Sequence, residues 1–229
     1  MIIHLIRHGH PNYQNDCLTE LGKKQAAAAS ERLRDCGIQR IYSSPKGRAM
    51  ETASYTADAL GQEITVCEFM KELSWKSLDG EPILANGHPW EVAGILASQG
   101  VNLSDTDWRQ REPYCRSMIV DRIASVVTGF DSFLAELGYV REGEQYRVLG
   151  EDTDKTIAIF SHAGSSSAVL SHLLNIPFPL FCGAFPVNFT SITTIRLSNQ
   201  VGALFCPKMI LFNDARHIEG ITVDNVYGN

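Results

Sequence analysis

The chain has no C-x-x-C pair. Its six cysteines, Cys17, Cys36, Cys67, Cys115, Cys182 and Cys206, are scattered, which excludes zinc knuckles and thioredoxin-type redox pairs and fits a reduced compartment. Basic residues are not in excess either. Twenty Lys and Arg face 26 Asp and Glu, a formal charge of −6, and a negative surface disfavours tracking of a nucleic-acid backbone. Lysine is sparse, 7 against 13 arginines, a bias toward the planar fork that grips anions with two bonds. Long apolar runs are missing: the longest, Ile176 to Val187, is broken by Pro177, Pro179, Gly183 and Pro186. Residues 1–7 lack the basic and apolar regions of a signal peptide. These absences predict a cytoplasmic protein with neither a nucleic-acid nor a membrane partner. No repeat, low-complexity tract or linker divides the 229 residues, so one domain is the economical reading.

Short apolar runs alternate with helical periodicity along the chain. Strands are predicted at 2–6, 38–43, 64–69 and 156–160, with late ones at 191–197 and 203–206. Helices are predicted from an N-cap at Thr19 to Gly37, from Ser44 as N-cap with Pro45 as first helical residue to Gly61, over 116–137, and from about Ser165 to Leu174. From Asp79 to Arg116 glycines and prolines interrupt one short helical stretch around Trp90 to Ala97, which reads as an insertion. Arg141 to Lys155 reads as a polar loop or small hairpin. The expected fold is α/β, a three-layer α/β/α sandwich with a mostly parallel central sheet. A single domain spans 1–229, with a mainly helical cap inserted at approximately 79–116.

Ligands of open α/β sheets bind beyond the carboxyl ends of the strands. There this sequence places Arg7-His8-Gly9 after the first strand and Ser161-His162-Ala163-Gly164 after the strand at 156, and Arg48 opens the helix behind the second. If these strands are parallel neighbours, two imidazoles and two guanidiniums converge. Such a group calls for an anion, and paired Arg forks match phosphate oxygens.

The ordered set of motifs resembles the histidine phosphatase superfamily, also called phosphoglycerate mutase-like. Arg7-His8-Gly9 matches its R-H-G. Ser43-Ser44-Pro45-Lys46-Gly47-Arg48-Ala49-Met50-Glu51-Thr52-Ala53 matches its S-S-x-x-x-R-A-x-x-T-A segment. Met70-Lys71-Glu72-Leu73 stands for a degenerate L-x-E segment and Ser161-His162-Ala163-Gly164 for S-H-x-G. Leu18-Thr19-Glu20-Leu21-Gly22 with Gln25-Ala26 looks like the family's first helix. The resemblance implies that His8 is the nucleophile of a phosphohistidine mechanism, with Arg7, Arg48 and His162 around the transferring oxygens. It makes Glu72 the proton donor and acceptor, puts Gln14 and Gly164 also against phosphate, and requires neither metal nor cofactor. Glu68, Asp79 and Glu81 are alternatives to Glu72, which alone has the family's spacing to Asp79-Gly80.

Mutases of this family continue R-H-G with Glu-Ser and a later Trp-Asn. Here the continuation is His10-Pro11-Asn12-Tyr13-Gln14, with Tyr13 standing for the Trp and Gln14 for the Asn, and the loop before Leu18 is several residues shorter. A mutase must retain a bisphosphate and exclude water, so the short loop implies the bacterial-type phosphatase branch acting on a small phosphorylated metabolite. The mutase reaction is the alternative. A homodimer is left open. Trp75, Trp90, Trp108 and Tyr114 with Arg109, Arg111 and Arg116 are candidates to roof the pocket, and Phe178, Phe181 and Phe185 to wall it.

Three competing readings have their own residues. His8-Gly9-His10 with His172, His217, Asp214 and His162 is a candidate metal set. Asp152-Thr153-Asp154-Lys155-Thr156 fits the D-x-D-x-T of haloacid-dehalogenase-type phosphatases, but it precedes a strand instead of ending one and reads as turn chemistry. A non-catalytic phosphate-binding module is the third.

Overall fold

Ile2–Arg7 forms β1, buried along nearly its whole length, as the unalternated run Ile-Ile-His-Leu-Ile requires of a central strand. The computed structural model describes residues 1–150 and 154–221, so Asp152 and Thr153 of the D-x-D-x-T segment lie outside the described residues. Beyond β1 a minimal hairpin, β2 (Pro11–Asn12) and β3 (Cys17–Leu18), leads into α1 (Glu20–Leu33). There follow β4 (Arg40–Ser43), α2 (Gly47–Leu60), β5 (Ile64–Val66), α3 (Pro89–Ser98) and α4 (Ile119–Glu136). A second hairpin, β6 (Tyr139–Glu142) and β7 (Gln145–Val148), precedes β8 (Thr156–Ser161), α5 (Ala163–Leu173) and α6 (Phe178–Ala184). Strands β9 (Ile192–Arg196), β10 (Leu204–Phe205) and β11 (Lys208–Asp214) follow.

The central sheet has the order β11-β9-β1-β8-β4-β5. Strands β1, β8, β4 and β5 are parallel neighbours, while β9 is antiparallel to both β1 and β11, so β11 points the same way as β1. The sheet is therefore mostly parallel, as expected. Alternation along the strands divides the interior in two. Ile6, Ile41, Ala158 and Phe160 share a core with Leu33 of α1 and Ala53 and Ala57 of α2. Ile3, Leu5, Tyr42, Ile157 and Ile159 share the other with Ile123, Val126 and Phe130 of α4 and Ala168 and Val169 of α5. Among the described residues, no helix is long and apolar enough to cross a membrane.

Local chemistry explains the element ends. Thr19 caps α1 with its hydroxyl on the Gly22 N–H at 3.1 Å, and Gly61, at φ 62°, closes α2 in the left-handed conformation that glycine adopts without penalty. The start of α2 departs from expectation. Lys46 is its N-cap, and Ser44 and Pro45 precede it, because the Ser44 hydroxyl bonds His162 Nε2 at 2.8 Å and the Asp16 carboxylate takes the Gly47 N–H at 2.9 Å. The strand predicted at 64–69 stops at Val66 and gives way to a single 3₁₀ turn over Glu68–Met70. The late strand at 203–206 forms, but it joins β6 and β7 in a separate sheet, and the sixth place in the central sheet goes to β11. Its apolar run Met209-Ile210-Leu211-Phe212 does not alternate, and two register shifts against β9 disrupt the strand period.

The aromatic roof also changes character. Trp108 and Tyr114 lie buried 5.1 Å apart, Trp108 reaches Phe178 at 6.0 Å, and these residues belong to the same core as α4 and α5. Phe181 stacks on Phe185 at 4.8 Å. Of the arginines, Arg111 pairs with Asp105, Arg116 pairs with Asp79, and Arg109 lies over its neighbour Trp108. Apolar area this large is worth more packed than solvated, so segment 79–116 supplies core as well as surface.

Candidate active site

The parallel register builds the centre of the site. Arg7 of β1 stands opposite Ser161 of β8, so the next residues, His8 and His162, leave the sheet side by side, with ring centroids 5.1 Å apart. Ser43 of β4 stands opposite Phe160, which brings Ser44 against His162 Nε2. Arg48, in the first turn of α2, reaches the same place and puts its Nε 3.3 Å from His8 Nε2. Four residues scattered over 155 positions of sequence thus converge at the carboxyl end of three adjacent parallel strands.

The hydrogen bonds fix the tautomer of His8. Its Nδ1 lies 2.7 Å from the Gly9 carbonyl, which can only accept, and its Nε2 faces Arg48 Nε–H, which can only donate. The proton therefore sits on Nδ1 and the lone pair on Nε2. Gly9 and Gly22 allow this turn: a Cβ on Gly9 would come within 2.6 Å of the Gly22 carbonyl oxygen.

Both imidazoles are held neutral. His8 is 2% exposed and His162 fully buried, and burial pushes both far below the usual histidine range, helped for His8 by His162, Arg7 and Arg48 and for His162 by the two arginines. Arg7 is also enclosed. Its Nη1 donates to the Val187 carbonyl at 2.6 Å, its guanidinium lies 3.9 Å from the Phe189 ring centre, and burial lowers it to about 10 against the opposing pull of Tyr13 and Glu72. Val187 and Phe189 come from the segment leading into β9, whose Thr190 N–H also bonds the His8 carbonyl at 3.3 Å.

Glu72 occupies the amino end of α5. Its Oε1 accepts from the N–H groups of Leu73 at 2.8 Å and Ser165 at 3.1 Å, and Oε2 from Gly164 at 3.3 Å. Crowding by protein atoms raises its carboxyl above the ordinary range, outweighing those N–H groups and the charges of Arg7 and Arg48. Part of its surface stays open to solvent. The alternative acids lie elsewhere: Glu68 pairs with Lys71, Asp79 with Arg116 and Ser77, and Glu81 is exposed.

Of the residues singled out in the sequence, Arg7, His8, Arg48, Glu72, His162 and Gly164 are gathered here. Gln14 is not: it is exposed, and its backbone N–H bonds Asn12 Oδ1. Tyr13, its neighbour, is the residue that leans over Arg48, with its ring centre 5.4 Å from the guanidinium carbon. The candidate metal set is dispersed. His172 binds Asp131, His217 meets Thr190, His10 meets Thr19 and Asp214 is paired with Arg216. Among the described residues no three His, Cys, Asp or Glu side chains form a group able to hold a metal ion. Sequence reasoning passed over Ser44, Thr52, Asp16 and Phe189. Thr52 accepts the Gly9 N–H at 3.0 Å, and its place one turn after Arg48 in the motif was the available signal.

Residues 3–114 match the sequence profile of the histidine phosphatase superfamily (branch 1). Over 115 residues the chain is 36% identical to the probable phosphoglycerate mutase GpmB of Yersinia pestis, an alignment covering 45% of this chain and 54% of that protein. The chain thus spans about half the length of the curated relatives it matches. Among solved structures, a mycobacterial glucosyl-3-phosphoglycerate phosphatase in complex with VO3 superposes with a TM-score of 0.61 at 21% identity, over 93% of this chain and 98% of that one. The phosphoserine phosphatase of Entamoeba histolytica in complex with 3-phosphoglyceric acid does so with a TM-score of 0.62 at 23% identity, over 95% and 98%. At such identities the likeness is one of fold. The profile match begins in β1 and ends at residue 114, a little under half of the chain, and the likeness of fold extends over nearly all of it.

Proposed function

We propose that the chain is a phosphomonoester hydrolase that forms a phosphohistidine on a small phosphorylated metabolite. The observation that carries this reading is the pairing of a neutral, tautomer-locked His8 with two buried arginines. In the first step the Nε2 lone pair attacks phosphorus, the ester P–O bond breaks, and its electrons leave with the alkoxide oxygen, which takes the Glu72 proton. Arg7, Arg48 and His162 face the three remaining oxygens, where charge collects in a loose transition state. In the second step Glu72 removes a proton from water, whose oxygen attacks phosphorus as the N–P bond breaks, returning His8 and releasing inorganic phosphate. The two guanidiniums supply the positive charge that a metal ion provides in other phosphoryl-transfer sites.

Hydrolysis is favoured over transfer by the brevity of the covering segment. Between β1 and α1 there is only the small hairpin of β2 and β3, a slight enclosure for retaining a bisphosphate. The mutase reading draws on the curated relatives named probable phosphoglycerate mutases. A panel of phosphorylated metabolites decides between them. Stoichiometric release of inorganic phosphate is expected. Conversion of 3-phosphoglycerate to its isomer in the presence of the bisphosphate, without phosphate release, would establish the mutase instead.

The rate should pass through a maximum at acidic to neutral pH. His8 must be neutral to attack, and because its pKa is depressed it stays neutral well below pH 6.5. Glu72 must be protonated to assist departure, and because its pKa is raised it keeps its proton above pH 4.5. The acid limb of kcat/KM therefore lies below the ordinary histidine value and the alkaline limb above the ordinary carboxylate value. A rate constant from pH 4 to 9 would remove Glu72 from this role.

A further inference from the structure

We infer that Asp16 is a positioning residue of the phosphoryl site, a carboxylate clamp that aims Arg48 at the reacting centre. The inference rests on the phosphohydrolase reading above, since it assigns how one of the arginines of that site is held.

Asp16 sits at the tip of the hairpin that follows β1, at φ 50°, a left-handed conformation that Asp tolerates better than most residues. Its two oxygens do different work. Oδ2 accepts the Gly47 N–H at 2.9 Å and so caps α2, while Oδ1 accepts from Arg48 Nη1 at 2.5 Å. One carboxylate thereby fixes both the backbone at the helix start and the guanidinium that leaves it one residue later. The remaining edge of the same guanidinium carries the Nε–H to His8 Nε2. A continuous line of contacts, Asp16 to Arg48 to His8, joins the hairpin to the reacting nitrogen.

Two further features tie the hairpin to this task. A Cβ on Gly47 would collide with the Asp16 carbonyl oxygen, so the loop can approach the helix this closely only because residue 47 is glycine. Tyr13, three residues before Asp16, covers the Arg48 guanidinium. Asp16 is partly open to water where Arg48 is almost wholly buried, so the carboxylate anchors the arginine from the solvent side without entering the pocket. Burial alone would push the Asp16 carboxyl up, but the Gly47 N–H and Arg48 hold it below its usual range, so it is ionised throughout the working range of the site.

A planar fork bound along one edge keeps its other N–H groups at a set angle, and phosphoryl transfer depends on that aim more than on ground-state attraction. Asp16→Asn separates this function from capping: its single amide oxygen can still accept the Gly47 N–H, whereas its NH₂ cannot accept from Arg48. With p-nitrophenyl phosphate, Asp16→Asn should lower kcat by about 10- to 100-fold with little change in KM. Inhibition by orthovanadate, which mimics the five-coordinate geometry, should weaken more than inhibition by inorganic phosphate. Asp16→Glu, which can pair with Arg48 again from a longer stem, should recover part of the rate. The Arg48 Nε–H resonance should be sharp in the wild type and broadened in Asp16→Asn. If folded Asp16→Asn keeps kcat within about twofold of wild type, or loses rate only in step with its melting temperature, Asp16 is a helix cap and the inference fails. If the wild type itself hydrolyses no phosphomonoester, the functional reading fails, and the Arg48 resonance alone then decides whether Asp16 holds that side chain.

Discussion

His8→Ala should lose at least about 10⁴-fold in turnover and form no phosphoenzyme at all. The size of the effect follows from the position of the reacting nitrogen. His8 Nε2 is the one lone pair in the cluster whose ring is oriented from both sides, by the Gly9 carbonyl and by Arg48 Nε–H. His162 cannot take its place. Among the described residues its ring is held only at Nε2, by the Ser44 hydroxyl at 2.8 Å, with no carbonyl on Nδ1 to set its tautomer, and it stands edge-on to His8. Water cannot replace it efficiently either, because the arginines would bind phosphate with no nucleophile aligned to its far side. Rapid acid-free quenching of the wild type with radiolabelled substrate should trap label that is stable in alkali and labile in acid, the signature of a P–N bond. Label that survives acid, or that persists in His8→Ala, would assign the nucleophile to another residue.

How far this site could be read in advance depends on which part of it is local. The Arg7-His8-Gly9 and Ser161-His162 strand ends were legible, because short apolar runs ending in polar residues and glycine mark the rim of a parallel sheet. The partnership of His8 and His162 needed only one further assumption, that β1 and β8 are parallel neighbours, and the register supplies it. Asp16 was illegible. Nothing in Asn15-Asp16-Cys17 distinguishes a turn aspartate from one that binds a helix start and an arginine 32 positions away. Ser44 was read as a helix cap because Ser-Pro has that local meaning, whereas tertiary structure gave its hydroxyl to His162. Trp108 and Tyr114 stood between packing and lining the pocket for the opposite reason. In a segment interrupted by glycine and proline, no periodicity tells a buried aromatic from one that lines a pocket. Glu72 lay between these cases: spacing selected it over Glu68 and Asp79, and only the fold places it on the N–H groups of Gly164 and Ser165.

That placement makes Gly164→Ala the sharpest test of the acid. Gly164 is the second residue of α5, with helical backbone, so alanine strains no dihedral there and adds up to about 1 kcal/mol of helix propensity. Its methyl, however, would collide with Glu72 Oε1 and come within 3.1 Å of Leu73 Cγ. Leu73 is buried and cannot yield much, so the carboxylate must leave the N–H groups that now hold it. On the proposed reading phosphate is held by Arg7, Arg48, His8 and His162, and none of the atoms that the methyl meets most closely belongs to them. KM should therefore hold within a few-fold, while kcat for an alkyl phosphate should fall by about 10²- to 10³-fold, the usual worth of a positioned general acid. With p-nitrophenyl phosphate the loss in the first step should stay under about tenfold, because that phenolate departs with little need of a proton. The pH profile should move as well. Burial is what raises the Glu72 carboxyl, so release toward solvent lowers its pKa, and the alkaline limb should shift to lower pH. Equal losses for alkyl and aryl substrates, with an unmoved alkaline limb, would mean that the leaving group receives its proton from elsewhere.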